Sequence, residues 1–294
     1  MKYIIGKKGR MVKMIAVLCT AIMVLTFSAC TNTVKNGTEE GTEQESKTVS
    51  VPKKEYNIPP ASAENDLLKI ATSVHGTDEK ICYLTFDDGP TKEVTPRVLD
   101  VLKQYDVKAT FFVLGNMLER NRDIGKRVAD EGHLLANHSY YHQYKELYAS
   151  ADSFMAEIEK TQSLINEISG EESFPLIRFP GGGHNAGPYA AVKQEYKNVL
   201  KEKGYYFVDW NCLNGDAEAA LRSAPELLAR TKETAIGKNI VVLMHDAAAK
   251  VTTPDALGSI IEYLRGQGYV FRRLDEIQYY DKSNKQEENS GMVL

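Results

Sequence analysis

The stretch LTFDDGP, residues 84–90, ends a hydrophobic run with two adjacent aspartates followed by Gly89 and Pro90. Gly and Pro are typical of a turn, so the run is predicted to be a β-strand that stops at Asp87 or Asp88. Two like charges at the end of a buried strand repel each other. They either belong to an ordinary Asp-Gly turn or have two different functions.

Strand-like runs recur along the chain at spacings that leave room for helices. They are ICYLTF (81–86), ATFFV (109–113), HLLAN (133–137), PLIRF (175–179), YYFVDW (205–210), NIVVLM (239–244) and GYVFR (268–272). Three of the intervening segments show helical periodicity, at 94–105, 153–168 and 254–265. This alternation predicts an α/β fold with about seven parallel strands, closed or nearly closed into a barrel.

Polar side chains lie at or just after the carboxyl ends of five of these predicted strands, where such folds place their active sites. They are Asp87-Asp88, the pair His138 and His142, Arg178, Asp216, and His245-Asp246. One such residue would mean little, but five groups converging on one rim indicate a functional site.

The pair His138 and His142, in HSYYH, has the i, i+4 spacing at which two imidazoles share a helical turn and can bind one cation. Such a pair is usually incidental. With a carboxylate from another strand it becomes a site for Zn²⁺, Fe²⁺, Co²⁺ or Ni²⁺. Because successive side chains of an extended segment point in opposite directions, one of Asp87 and Asp88 can bind the metal while the other acts as a base.

His245, in LMHD, is a candidate general acid, although a partly buried structural histidine is the commoner case. Asp216 or Asp246 is expected to orient it. Arg178 is expected to hold the base carboxylate in the same way.

The motifs TFDDGP (85–90), EGHLLANHSYYH (131–142), RFPGG (178–182), Asp216 and LMHD (243–246) occur in an order that resembles the polysaccharide deacetylases of carbohydrate esterase family four, the NodB-homology domain. The resemblance covers roughly residues 80–275 and implies a distorted (β/α) barrel. It also implies one role for each matched residue: Asp87 as catalytic base, Arg178 holding it, Asp216 orienting the acid His245, Leu243 against the acetyl methyl group, and Asp88, His138 and His142 as metal ligands.

Two positions depart from the family pattern. The residue after Pro180, which donates a backbone N–H to the oxyanion and is usually aromatic, is Gly181 here, in a run of three glycines. A glycine keeps that N–H, but the aromatic wall is missing. Ala217 follows Asp216 where the family has a tryptophan, and Trp210 is expected to pack at the end of its strand rather than replace that ring.

The ends of the chain differ in composition from its middle. A basic segment precedes the apolar run MIAVLCTAIMVLTFSAC, which predicts a signal peptide or lipoprotein anchor over 1–30, with Cys30 lipidated or the run uncleaved. Residues 31–65 are predicted to be a polar linker, 66–281 the deacetylase domain and 282–294 a disordered tail. The chain is therefore expected outside the cytoplasm, anchored to a bacterial membrane or secreted. Cys82 and Cys212 are either buried thiols or one disulfide.

The sequence thus predicts a metal-dependent hydrolase that removes N-acetyl groups from a cell-envelope polysaccharide, with GlcNAc or MurNAc of peptidoglycan as the expected target. One divalent ion is expected, zinc first, with cobalt, nickel, iron and manganese as alternatives. The formal net charge of −4 gives no reason to expect a nucleic acid partner. The alternatives are an O-acetyl glycan esterase, a non-catalytic glycan-binding protein and a glycosidase that uses two carboxylates.

Overall fold

The computed structural model describes residues 55–73, 79–185 and 187–279. Within these ranges it contains eight strands: β1 Lys80–Asp87, β2 Thr110–Val113, β3 Leu134–Asn137, β4 Leu176–Ile177, β5 Tyr206–Phe207, β6 Cys212–Leu213, β7 Asn239–His245 and β8 Tyr269–Phe271. The same ranges contain nine α-helices: α1 Leu67–Ser73, α2 Thr95–Gln104, α3 Gly115–Arg120, α4 Arg122–Asp130, α5 Tyr144–Leu147, α6 Ala151–Ser169, α7 Ala190–Glu202, α8 Ala224–Thr234 and α9 Thr253–Gly266.

The strands form one sheet with the order β5-β4-β3-β2-β1-β7-β6, and β8 pairs with β1. All the strand pairs are parallel, which confirms the predicted α/β barrel in its distorted, open form. All seven predicted strands and the three predicted helices are present. The additional strand, β6, has two residues and is too short to produce a hydrophobic run.

Strand β1 is the centre of the sheet because it pairs with three neighbours. It pairs with β7 from Ile81 to Asp87, with β8 over its first residues, and with β2 over its last three. The register aligns Asp87 with His245 across β1 and β7. The last residues of these two strands therefore lie side by side at the same edge of the sheet.

The two faces of β1 pack against different layers, as the alternation of side chains requires. Cys82, Leu84 and Phe86 belong to the cluster that also contains the buried faces of α2 and α9. Ile81 and Tyr83 belong to the second cluster, with α1 and residues of β3, β4 and β5. Thr85 and Asp87 follow Tyr83 in this alternation, so Asp87 points to the interior side of the sheet.

Cys82 and Cys212 are both free, buried thiols. Their strands β1 and β6 pair with opposite edges of β7, with Cys82 facing Ile240 and Cys212 facing Val242. Because a strand separates them, the cysteines act as small buried apolar side chains, the first of the two alternatives.

The described domain begins before residue 66, inside the range predicted as linker. Ala61 is buried, the Tyr56 ring lies 4.5 Å from that of Phe174, and Asn65 Nδ2 donates to the Lys197 carbonyl at 2.9 Å. The predicted signal or anchor (1–30), the linker up to residue 54 and the predicted tail (282–294) lie outside the described residues. Among the described helices, none combines the length and the hydropathy of a membrane span.

Two isoleucines provide a matched test of this packing. Ile260 in α9 is fully buried, whereas Ile236 is 75% exposed. We expect Ile260→Ala to lower the free energy of unfolding by about 2–5 kcal/mol because it leaves a cavity in the core. Ile236→Ala should change it by less than about 0.5 kcal/mol. Urea unfolding followed by circular dichroism measures both, and equal effects would contradict the placement of α9.

Candidate active site

The carboxyl ends of β1, β3 and β7 and the loops after β4 and β6 surround a cavity of about 250 Å³. Seven of the nine predicted site residues line it: Asp87, Asp88, His138, His142, Gly181, Leu243 and His245. The other two, Arg178 and Asp216, lie behind this lining and are bonded to residues in it.

Asp87 is 2% exposed and is held by a buried arginine. Arg178 Nη1 donates to Asp87 Oδ1 at 2.8 Å and to Thr85 Oγ1 at 2.7 Å, and the guanidinium lies 4.2 Å from the centre of the Phe112 ring. Burial raises the pKa of Asp87, while the positive charge of Arg178 opposes that rise. The arginine therefore favours the carboxylate form of a group that its surroundings would otherwise protonate.

Asp88 faces the two histidines. Its Oδ1 lies 3.6 Å from His138 Nε2 and 3.8 Å from His142 Nε2. One ligand atom from each of the three residues lies within 4.8 Å of the others. Asp88 Oδ1 is buried and has no hydrogen-bond partner among the described residues, so this carboxylate oxygen lacks the compensation that burial requires.

The state of His138 suits a metal ligand. Its Nδ1 lies 2.8 Å from the carbonyl oxygen of Arg178, to which it can donate its proton. Burial lowers the pKa of His138 to about 3, so the ring is neutral and the lone pair on Nε2 faces Asp88. Two imidazole nitrogens and one carboxylate oxygen with an open side form a donor set that fits zinc and similar ions.

The predicted helical turn for His138 and His142 is wrong, since both lie in a loop between β3 and α5. Ser139 and His142 have positive φ angles of 69° and 59°, which no helix contains. A side chain of α6 holds this loop, because the amides of residues 140 and 141 donate to Glu157 Oε2 at 2.9 and 3.0 Å. The two rings converge through this loop conformation and not through the 3.6-residue period.

The predicted reason for separating the two aspartates also needs correction. Asp87 is the last residue of β1, but Asp88 is not extended and has a φ of 77°. A left-handed residue directly after the strand turns the second carboxylate toward the histidine loop. Both carboxylates still lie near His138 Nε2, Asp87 Oδ2 at 3.8 Å and Asp88 Oδ1 at 3.6 Å, but Asp88 also lies 3.8 Å from His142 Nε2 while Asp87 is bonded to Arg178.

His245 is paired with Asp216, which was one of two predicted partners. Asp216 Oδ1 lies 2.8 Å from His245 Nδ1, while Oδ2 accepts the His245 amide at 2.8 Å and the Thr253 hydroxyl at 2.9 Å. Burial alone would lower the pKa of His245, but the hydrogen bond and charge of Asp216, with the nearby Asp87 and Asp88, raise it to about 9. The imidazole is therefore protonated at neutral pH.

Asp246, the other candidate partner, bonds to Thr95 instead of His245. Its Oδ2 accepts from Thr95 Oγ1 at 2.5 Å, and burial raises its pKa to about 7. A Cβ at Gly89 would lie 2.1 Å from Asp246 Oδ2, so a residue with a side chain at position 89 would clash with this carboxyl group. Asp246 thus packs against the turn that follows the two aspartates.

The loop after β4, residues 180–185, forms one wall of the cavity and is called the glycine loop below. Gly181 and Gly182 have φ angles of 73° and 78°, which other residues adopt only under strain. Among the described residues, no acceptor is bonded to the Gly181 N–H, and this glycine lines the cavity. Its amide is free to donate to a bound oxygen.

Two aromatic rings line the cavity, although Gly181 and Ala217 stand at the two positions where the family has an aromatic residue. Tyr144 and Trp210 both line the cavity, together with Leu243 and Ala217. The Tyr144 ring lies 5.3 Å from that of His142, and a Cβ on Gly182 would lie 3.0 Å from Trp210. Trp210 packs against the second cluster at the end of its strand, as expected, and in addition lines the cavity. The closeness of Tyr144 to His142 in the chain was the available signal for that residue.

Comparison with known proteins agrees with this geometry. A family model described as polysaccharide deacetylase matches residues 75–208. The peptidoglycan-N-acetylglucosamine deacetylase PgdA of Listeria monocytogenes is 35% identical over 219 residues, which cover 71% of this chain and 42% of that protein. The peptidoglycan-N-acetylmuramic acid deacetylase PdaA of Bacillus subtilis is 31% identical over 206 residues, covering 69% of this chain and 73% of that protein.

Among solved structures, the catalytic domain of peptidoglycan N-acetylglucosamine deacetylase from Eubacterium rectale superposes with a TM-score of 0.63 at 32% identity. That match covers 74% of this chain and 99% of the solved one. The similarity thus extends over a whole catalytic domain. By contrast, the chain spans less than half the length of the Listeria relative.

The pairing of His245 with Asp216 can be tested by titration. Because Asp216 supplies both the hydrogen bond and the nearest charge, Asp216→Asn should lower the pKa of His245 from about 9 toward or below the ordinary imidazole range. NMR titration of the imidazole signals measures this directly. Asp255→Asn, a surface carboxylate paired with Arg97, is the control and should leave the pKa unchanged. A pKa that stays near its original value in Asp216→Asn would contradict the pairing.

Proposed function

This chain belongs to the polysaccharide deacetylase family, and from that premise we propose that it is a metal-dependent hydrolase that removes N-acetyl groups from peptidoglycan. The proposal rests on one observation: two ionisable side chains, each bonded to a different charged partner, line the same cavity. Asp87, bonded to Arg178, is the base, and His245, bonded to Asp216, is the acid.

The proposed reaction is hydrolysis of an amide. Asp87 accepts a proton from the attacking water, whose oxygen forms a bond to the acetyl carbon. The Gly181 N–H donates to the carbonyl oxygen as negative charge develops there, and Leu243 contacts the methyl group. His245, protonated below pH about 9, gives its proton to the sugar nitrogen as the carbon–nitrogen bond breaks. The products are acetate and a glucosamine-type amine.

We propose that Asp88, His138 and His142 hold one divalent metal ion, with zinc preferred and cobalt, nickel, iron or manganese as alternatives. The unpartnered Asp88 oxygen and the neutral His138 ring support this. A bound ion would polarise the acetyl carbonyl and lower the pKa of water at the site. Asp87 does not need to bind it, because the guanidinium of Arg178 already compensates its charge.

Peptidoglycan is proposed as the polymer because relatives named for its GlcNAc and MurNAc units resemble this chain over most of the domain. We also propose that the protein acts outside the cytoplasm, secreted or held to the bacterial membrane by a lipid on Cys30 or by its apolar N-terminal segment. This part rests on the sequence of residues 1–30. We expect the glycan substrate and the membrane as partners, and we do not expect a nucleic acid.

Acetate release is the direct test of the reaction. Purified protein loaded with Zn²⁺ should release acetate from peptidoglycan or from an N-acetylglucosamine oligomer, and a chelator should abolish the release until metal is restored. Mass spectrometry of the sugars should show free amines with glycosidic bonds intact. Loss of O-acetyl groups alone would indicate the esterase, cleaved glycosidic bonds the glycosidase, and no metal-dependent release the glycan-binding protein.

The division of work between the two aspartates predicts opposite results for two variants. Asp87→Asn should lower kcat by at least about 100-fold because it removes the base, yet bind metal normally in a calorimetric titration. Asp88→Ala should lose both metal and activity, as should His142→Ala. If Asp87→Asn lost the metal while Asp88→Ala kept it, the two roles would be reversed.

A further inference from the structure

Six backbone polar groups of the glycine loop (residues 180–185) are bonded to the rest of the loop or to its surroundings. The carbonyl oxygens of Pro180, Gly181 and Gly182 accept from Tyr148, Asn185 and Lys193 at 2.8, 2.8 and 2.7 Å. The Gly182 amide donates to the Phe179 carbonyl at 2.8 Å. Of the N–H groups of residues 181–184, only that of Gly181 has no hydrogen-bond acceptor among the described residues.

The next two amides are held by one carboxylate. The Gly183 N–H donates to Asp209 Oδ1, and the His184 N–H donates to Asp209 Oδ2, both at 2.7 Å. Asp209 is 6% exposed, so the two bonds form in a nearly dry environment, where bonds to a charged acceptor are strong. Both oxygens are used, one on each amide.

Asp209 also connects the glycine loop to the residue that holds the base. Its backbone carbonyl oxygen accepts from Arg178 Nη2 at 3.3 Å, and Arg178 Nη1 bonds Asp87 at 2.8 Å. The segment after β5 therefore contacts the loop through the side chain of Asp209 and the buried guanidinium through its main chain. The oxyanion donor and the base are fixed relative to each other through this residue.

Two lysines of α7 interact electrostatically with Asp209. Two largely buried lysines, Lys193 and Lys197, lie near it; burial lowers the pKa of each, and the charge of Asp209 raises it. The Lys197 Nζ lies 3.1 Å from the Nδ1 of the half-exposed His184 ring, whose Nε2 lies 3.0 Å from Asp66 Oδ2. Two buried lysines thus lie near the carboxylate that accepts the two loop amides.

We propose that Asp209 is a positioning residue for the deacetylation reaction: by binding the amides of Gly183 and His184 it fixes the glycine loop so that the Gly181 N–H points to the acetyl oxygen. This rests on the proposed function for the oxyanion donor, and it assigns a task to a residue outside the cavity lining. Two adjacent left-handed glycines have wide conformational freedom. The carboxylate removes that freedom next to the donor.

The test variant is Asp209→Asn, which preserves size but leaves one of the two amides facing an NH₂ group. Hydrogen–deuterium exchange should speed up at least about tenfold in peptides covering residues 180–185 and remain unchanged in those covering 137–143. With the zinc-loaded protein and an N-acetylglucosamine oligomer, kcat should fall about 10- to 100-fold, as for a weakened oxyanion donor, while KM stays within about threefold. Zinc binding should be unchanged by calorimetry.

His184→Ala is the matched control, because it removes the ring while leaving the amide that Asp209 binds. It should keep kcat and the exchange of the loop close to those of the native protein. Native kcat and exchange in Asp209→Asn would overturn the proposal. So would a variant that loses zinc or raises KM together with a fall in kcat, since Asp209 would then support the site as a whole.

The same experiment separates this proposal from the function on which it rests. If the native protein released no acetate with any metal, the deacetylase function would fail. Exchange would then still decide whether Asp209 fixes the glycine loop: faster exchange in Asp209→Asn would support the positioning, and unchanged exchange would overturn it.

Discussion

A fully buried guanidinium holds the catalytic end of this domain together. Arg178 donates to Asp87 and Thr85 from β1, and to the carbonyl oxygens of Val208 and Asp209 after β5. A buried charge is tolerated only when its partners replace the water it has lost, and here every partner comes from a strand end. Removing one partner would leave either the arginine or Asp87 uncompensated, so the ends of β1, β4 and β5 depend on one another.

This constraint explains how adjacent aspartates can have different chemistry. Asp87 is the interior-facing last residue of β1, and Arg178 compensates its charge. Asp88 begins the turn, faces His138 and His142, and has an oxygen with no partner among the described residues. One carboxylate is thus stabilised by the protein, and the other is available to a cation. Opposite them, the Asp216 pairing keeps a histidine protonated near neutral pH, so the proposed base and the proposed acid differ in their surroundings as well as in residue type.

The sequence predicted the parts of this structure that depend on local pattern. Buried parallel strands give apolar runs in the sequence, and polar residues at the ends of these runs mark the rim of the sheet. The fold and the residues that meet at the cavity could therefore be predicted from the sequence. Loop conformation was not, because the left-handed φ angles at Ser139 and His142 leave no trace in residue spacing. The cavity contacts of Tyr144 and Trp210 depend on tertiary packing. Asp209 lay inside a strand-like run and gave no sign that its carboxylate would bind a loop.

The central claim is that Asp88 binds the metal while Asp87, held by Arg178, stays free to act as a base. Anomalous diffraction from crystals grown with Zn²⁺, recorded on both sides of the zinc absorption edge, tests this directly. The expected result is one anomalous peak about 2.0–2.2 Å from Asp88, His138 and His142 ligand atoms, with the bond between Asp87 and Arg178 intact. A peak bonded to Asp87, with the arginine pair broken, or a peak away from these three residues, would contradict the claim.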